Sequence, residues 1–193
     1  MKPAVFIDRD GVINVDGGYV STPEDFHFID GVFAACKHFS NCGYELFIVT
    51  NQSGIARGYY TEDDFHRLTG WMLEQFVSHG VRIRKVYFCP HHPDKGYAPY
   101  VGPCECRKPA PGMLLQAIRE YDIDPAASIM LGDKAADMQA ATAAGIGRRV
   151  LVLSGQTLGD EDRALADEIW PSIHDGIDQV RPLLRADYPD SRS

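Results

Sequence analysis

The stretch AVFIDRDGVIN, residues 4 to 14, decides how the rest of the chain is read. It opens with Ala4-Val5-Phe6-Ile7, a continuous apolar run of the kind a strand shows when both of its faces are buried. The run stops at Asp8-Arg9-Asp10-Gly11, so two carboxylates stand where such a strand would end. Side chains at i and i+2 of an extended segment point the same way. Asp8 and Asp10 are therefore expected to face one space, with Arg9 turned aside. Like charges that close are unfavourable unless a cation joins them or one is protonated.

Similar apolar runs recur at 46–49, 86–88, 129–131 and 150–153. Stretches of helical period separate them. Residues 30–42 read as a helix closed by Gly43. Residues 61–79 open on a Thr61/Asp64 variant of the capping box and stop at Gly80. Residues 111–121 begin with a proline suited to a first turn, and 135–144 end at Gly145. Near-continuous hydrophobic strands alternating with helices predict a single Rossmann-like, three-layer α/β domain over residues 1–186, with a mainly parallel sheet. Residues 187–193 form a polar tail expected to fray. The long irregular piece, 89–111, is where the cysteines collect.

The totals narrow the functional classes. At 193 residues the chain suits one domain better than two. A formal charge of −8 disfavours a nucleic-acid or anionic-membrane partner. No charged-then-apolar leader is seen and no apolar run approaches membrane-spanning length. The expectation is a cytoplasmic monomer. In a reducing compartment, the five cysteines suggest metal binding or packing before disulfides.

In open α/β sheets, ligands bind beyond the carboxyl ends of the strands. The second run is followed by Thr50-Asn51-Gln52-Ser53-Gly54, and the fourth by Gly132-Asp133-Lys134, with Asp137 one helical turn later. Between them, Cys106-Arg107-Lys108-Pro109 precedes a helix. Asp133, a third carboxylate beside Asp8 and Asp10, would complete an oxygen-rich pocket suited to Mg²⁺. Thr50, Asn51 and Lys108 are the types that hold phosphate oxygens. Phosphoryl transfer is the chemistry this set allows. A calcium loop starting at Asp8 fails at Val12 and Tyr19, and the glycine-rich Walker pattern is absent.

In order, Asp8-x-Asp10-Gly11-Val12, Thr50-Asn51, Lys108 and Gly132-Asp133-x-x-x-Asp137 resemble the four motifs of the haloacid dehalogenase-like phosphatases. DRDGVINVDGGYV, VTNQSGIARG, CPHHP, CRKPAPGML and GDKAADMQAA are similar to the subfamily of bacterial heptose bisphosphate phosphatases, which also contains histidinol-phosphate phosphatases. The resemblance covers roughly residues 4–155. It implies Asp8 as nucleophile, Asp10 as general acid and base, and Thr50 and Lys108 on the phosphoryl oxygens. Mg²⁺ would be held by Asp8, Asp133 and the backbone carbonyl of Asp10, with Asp137 supporting Lys134 or a metal-bound water. It further implies a phosphorylated sugar as substrate, contacted by Asp16, Gly17, Gly18, Tyr19, Asn51, Gln52, Ser53, Arg107 and Lys134. Arg107 is the expected partner for a second phosphate, since a guanidinium can bind two oxygens at once; the alternative is that it only braces the loop. Many relatives carry a separate cap domain; the connections here look too short for one.

Cys89-x-His91 and Cys104-x-Cys106 supply four soft ligands within one irregular segment, and tetrahedral Zn²⁺ accepts such a set. By spacing, His92 would serve nearly as well as His91. The resemblance favours Cys89, His91, Cys104 and Cys106 around a structural zinc over loop 89–106. Two other classes compete. A receiver module would accept phosphate on Asp8 without releasing it, and has no need of Asp10 or a zinc loop. A nucleic-acid-binding Cys/His loop would need more basic residues than the neighbouring pair Arg107 and Lys108.

Overall fold

The computed structural model describes residues 1–183, so the polar tail at 187–193 lies outside the described residues. The chain runs β1 (Ala4–Ile7), α1 (Val32–Asn41), β2 (Glu45–Asn51), α2 (Glu62–Ser78), β3 (Lys85–Cys89), α3 (Gly112–Tyr121), β4 (Ile129–Gly132), α4 (Ala135–Ala143), β5 (Arg148–Val152), α5 (Asp160–Arg163), β6 (Glu168–Trp170) and α6 (Gly176–Gln179). The strands form one parallel, six-stranded sheet in the order β3-β2-β1-β4-β5-β6.

Successive side chains of a strand point to opposite faces, and β1 divides its apolar run accordingly. Val5 and Ile7 enter a core with Phe39 of α1 and Leu68, Met72 and Phe76 of α2. Ala4 and Phe6 enter a second core with Met113, Leu114 and Ala117 of α3 and Met138, Ala140 and Ala141 of α4. All four residues of β1 are fully buried. The expected three layers follow from that division.

Ile7 pairs with Ile48 on one side and Leu131 on the other, so β1 lies between β2 and β4. The chain goes from β1 outward to β2 and β3, then crosses back to β4. This reversal opens a crevice at the carboxyl ends of β1 and β4. Asp8, Thr50 and Asp133 sit at that edge.

The predicted capping box is present: Thr61 Oγ1 accepts from Asp64 N–H at 3.1 Å, and Asp64 Oδ2 accepts from Thr61 N–H at 2.8 Å. The helix predicted from residue 30 starts at Val32 instead, because Gly31 takes a left-handed conformation at φ 79°. A Cβ at Gly31 would lie 2.2 Å from the His174 ring. The three-residue β6 was not predicted at all. It has no apolar run, and Glu168 is fixed by Arg148 of β5 at 2.6 and 2.9 Å.

Glu120 ties α3 to β3 by accepting from Lys85 Nζ at 2.6 Å and from the Tyr87 hydroxyl at 2.7 Å. The Lys85 bond first, then Tyr87, depresses its carboxyl from 4.5 to about 2. A depressed carboxyl contributes stability that is present above its unfolded value and lost as pH falls through the folded one. The Tm gap between wild type and Glu120→Gln should therefore be full at pH 6 and close between pH 4.5 and about 2. Thermal melts across that range check it; a gap that persists unchanged at the acid end would contradict the assignment.

Candidate active site

Asp8 follows β1, and its backbone N–H donates to Leu131 O at 2.9 Å, so the ladder to β4 continues through the residue. Its Oδ1 accepts from Arg9 N–H at 2.8 Å and from Lys108 Nζ at 2.9 Å. Lys108 is buried as well. Its ammonium also reaches Asp137 Oδ1 at 2.6 Å and donates to Val49 O at 2.8 Å, which uses all three hydrogens. Burial opposes the charge on Lys108, but Asp137 and Asp8 outweigh it and hold the amine above the usual lysine range. Burial raises Asp8 from 3.8 to about 6, with Lys108 opposing and Asp137 adding to the shift. Asp8 is thus mainly anionic at neutral pH.

Asp133 has a different environment. It is fully buried, and neither carboxylate oxygen has a hydrogen-bond donor. Lys134 Nζ is the nearest cation, at 3.7 Å from Oδ2. Burial first, and then the charge of Asp8, push Asp133 up to about 8. Backbone without side chains walls it in. A Cβ at Gly11, where φ is 89°, would lie 2.3 Å from Oδ2, and one at Gly155 would lie 2.0 Å from it. Oxygen atoms of Asp8, Asp133 and Asp137 all fall within 4.8 Å of one another. Two buried, donorless oxygens beside a second carboxylate are what a hard divalent cation would satisfy.

Arg9 corrects the sequence reading. It is not turned away from the carboxylates: it is 2% exposed, and its guanidinium holds Asp10. Nη2 lies 2.8 and 2.9 Å from the two Asp10 oxygens, Nε lies 3.2 Å from Oδ1, and Nη2 also donates to Val20 O at 3.1 Å. Asn14 Nδ2 and Gln52 Nε2 complete the set at 3.0 and 3.1 Å. Gln52 in turn donates to Thr50 Oγ1 at 2.8 Å and accepts from the Tyr60 hydroxyl at 2.5 Å. Asp10 is therefore fixed in direction by three buried side chains, Arg9, Asn14 and Gln52. Arg9, Asn14 and Tyr60 gave no signal in the sequence, since their contacts with this network depend on loop closure.

Asp8, Asp10, Asn51, Lys108, Lys134, Ala136 and Asp137 line an open pocket. Asn51 braces Lys108 by two backbone bonds, Nδ2 to Lys108 O and Oδ1 from Lys108 N–H, both 3.0 Å. Asp137 Oδ2 accepts from Lys134 N–H at 3.1 Å, capping α4 and setting Lys134 at the rim. Lys134 Nζ reaches Asp16 Oδ2 at 3.2 Å, and Asp16 Oδ1 accepts from Gly18 N–H at 3.1 Å. Asp16, Gly17, Gly18 and Tyr19 thus form an exposed loop tied to the pocket through Lys134. Gln52 is 2% exposed, so its amide serves the buried network, whereas Ser53 is partly open. Arg107 donates to His91 O at 3.2 Å, joining the pocket to the cysteine loop.

There, Cys89 Sγ lies 3.6 Å from both His91 Nδ1 and Cys104 Sγ, and Cys106 Sγ lies 3.4 Å from His91 Nδ1 and 3.6 Å from Cys104 Sγ. A tetrahedral ion with bonds of about 2.0 to 2.3 Å has ligand–ligand edges of roughly 3.5 to 3.8 Å. Three edges fall in that range and the His91–Cys106 edge, 3.4 Å, lies just below it; the Cys89–Cys106 edge, 2.8 Å, is shorter. No disulfide forms among them. His92 lies outside the cluster, where Nδ1 accepts from the N–H groups of Asp94 and Lys95 at 3.1 and 2.9 Å.

Residues 105–176 match the family described as HAD-hydrolase-like. The D-glycero-beta-D-manno-heptose-1,7-bisphosphate 7-phosphatase of Yersinia pestis is 54% identical over 90% of this chain and 92% of its own length. The protein of the same name from Escherichia coli is 49% identical over 90% of this chain and 91% of its own. The solved D,D-heptose bisphosphate phosphatase of B. bronchiseptica, complexed with magnesium and phosphate, matches at TM-score 0.79 and 30% identity, covering 92% of this chain and 97% of that one. Identity at this level over nearly the whole length goes with a shared ancestor and a shared fold, and the chain belongs to the haloacid dehalogenase-like hydrolases, in the family of the heptose bisphosphate 7-phosphatases.

Proposed function

We propose that the chain is a Mg²⁺-dependent phosphatase that removes the 7-phosphate of D-glycero-D-manno-heptose 1,7-bisphosphate. The observation that carries it is Asp8 at the end of β1, paired with buried Lys108 and facing the donorless carboxylate of Asp133. The relatives named above act on that sugar by their names, which supports the substrate.

Asp8 attacks phosphorus through the oxygen that Arg9 and Lys108 leave free, forming an aspartyl-phosphate as the bond to the sugar oxygen breaks. Asp10 delivers a proton to that departing oxygen and later takes one from the water that cleaves the acyl phosphate. Its hold by Arg9, Asn14 and Gln52 keeps the carboxyl aimed at one position through both steps. Thr50 and Lys108 bind the phosphoryl oxygens as charge redistributes, Lys108 giving up one of its three bonds to do so. Mg²⁺ would be held by Asp8, Asp133 and the carbonyl of Asp10, and when bound it supplies the positive charge that lets an anion approach an anionic ester. Asp137 stays with Lys108 and the start of α4.

Phosphate-release assays on the heptose bisphosphate and on histidinol phosphate, with Mg²⁺ and with a chelator, test the reading. It expects turnover of the sugar that stops on chelation. A higher kcat/KM for histidinol phosphate would overturn the substrate, and a stable phosphoprotein without release would favour a receiver.

Cys89, His91, Cys104 and Cys106 would hold a structural Zn²⁺, with no position left open for catalysis. Their segment has little regular structure of its own between β3 and α3, and Arg107 and Lys108 follow it directly. Cys104→Ala should leave the purified protein without zinc and lower its kcat, measured by elemental analysis and phosphate release. Full zinc content in the variant would exclude Cys104 as a ligand.

A further inference from the structure

Next to the cysteine loop lies a group of donors that, among the described residues, have no carboxylate to accept from them. His92 Nδ1 takes two backbone N–H groups, so its lone pair is occupied and the ring proton must sit on Nε2. Yet Nε2 faces Arg57 Nη2 at 3.1 Å, which sets one N–H against another. Arg57 Nε is buried and also has no partner. Arg107 stands next to them, its Nη1 donating to the carbonyl of the adjoining His91 at 3.2 Å. Among the described residues neither guanidinium pairs with a carboxylate, whereas Arg9, Arg84, Arg148 and Arg149 each do.

Two guanidiniums without a carboxylate partner and an imidazole N–H, brought next to one another, make a cradle for an anion. Its position links it to the reaction. Arg57 lies one turn beyond Ser53, whose carbonyl accepts Arg57 N–H at 3.1 Å, on the loop that begins with Thr50. Arg107 precedes Lys108. The guanidinium of Arg57 stands 5.9 Å from the centre of the Tyr19 ring, and the exposed Tyr59 ring backs Tyr19 at 4.5 Å. An aromatic face fixes a guanidinium while leaving its hydrogens free.

We propose that Arg57 is a further specificity-determining residue: with His92 it joins Arg107 on the phosphate that is not hydrolysed, and so favours a doubly phosphorylated sugar over a singly phosphorylated one. This rests on the phosphatase reading above and adds Arg57, His92 and the Tyr19–Tyr59 pair to it. Histidinol phosphate would place an ammonium where these cations stand, so the same group rejects it by repulsion.

Two measurements on Arg57→Met test it, with a thermal melt to show that the variant folds. The ratio of kcat/KM for heptose 1,7-bisphosphate to that for heptose 7-phosphate should fall by about 10-fold or more, the scale of losing a hydrogen-bonded charge. Arg57→Lys should retain part of the ratio, because it keeps the charge and loses the fork. An equal loss on both substrates overturns the proposal. In parallel, calorimetric titration with heptose 1-phosphate should show weaker binding to Arg57→Met than to wild type. Unchanged affinity overturns the proposal even if the bisphosphate is a good substrate. Arg57-dependent binding without bisphosphate hydrolysis would instead sink only the substrate reading.

Discussion

Asp8→Asn is expected to abolish phosphate release, by on the order of 10⁴- to 10⁶-fold, the range seen when a nucleophile is lost from a set that acts as a unit. The amide keeps the shape and one acceptor oxygen but cannot form the aspartyl-phosphate. Its effect on folding should be opposite in kind. Burial raises Asp8 to about 6, so above that pH the carboxylate is ionised at a cost to the folded state. A neutral side chain removes the cost while Lys108 keeps its bond to Asp137. Without metal, the variant should therefore melt at or above the wild-type temperature near pH 7.5. Activity within about a hundredfold of wild type would refute Asp8 as nucleophile. A large fall in Tm would show that its main duty is structural.

What could be read in the sequence, and what could not, divides by the range of the interaction. Strand ends were legible because burial on both faces writes an uninterrupted apolar run, and the residue that breaks it stands out: Asp8, Thr50 and Asp133 were found this way. The Thr61/Asp64 box was legible because its bonds span three residues. Arg9 was misread. Alternation along a strand sends it away from Asp10, but the chain leaves β1 at Ile7 and turns, with Val12, Ile13 and Asn14 all donating to Arg9 O. That turn lets the long side chain fold back on its neighbour. Gln52 to Asp10 spans 42 residues and Arg57 to His92 spans 35, and no local pattern records such distances. The short β6 escaped because an ion pair with β5 takes the place of apolar content.

The same contrast explains why the site combines a rigid and an adjustable part. Lys108, Asp137 and Asn51 are joined to one another and to the ends of β2 and α4 by short bonds, which leaves them little freedom. The exposed loop of Asp16 to Tyr19 is held chiefly by Lys134 and by ring contacts. Phosphoryl transfer requires fixed donors, while sugar recognition can be built on a loop positioned by a rigid scaffold.

Lys108→Met should therefore damage both stability and rate, and for separable reasons. The ammonium is 3% exposed and neutralises Asp8 and Asp137 at once. Removing one partner of a buried charge set costs about 3 to 5 kcal/mol, because the remaining charge is left uncompensated. For a domain of this size that corresponds to a Tm lower by roughly 10 °C. The loss should shrink as pH falls through about 6, since Asp8, raised to that value by burial, is then relieved by protonation. Loss of a phosphoryl-oxygen donor should cut kcat on the order of 10²- to 10³-fold. Adding Asp137→Asn removes the second of those charges, so the double variant should regain much of the Tm while phosphate release stays low. Recovery of rate along with stability would mean that Lys108 only holds the fold. Failure to recover Tm would mean that the cavity and the unbonded Val49 carbonyl, and not stranded charge, dominate the cost.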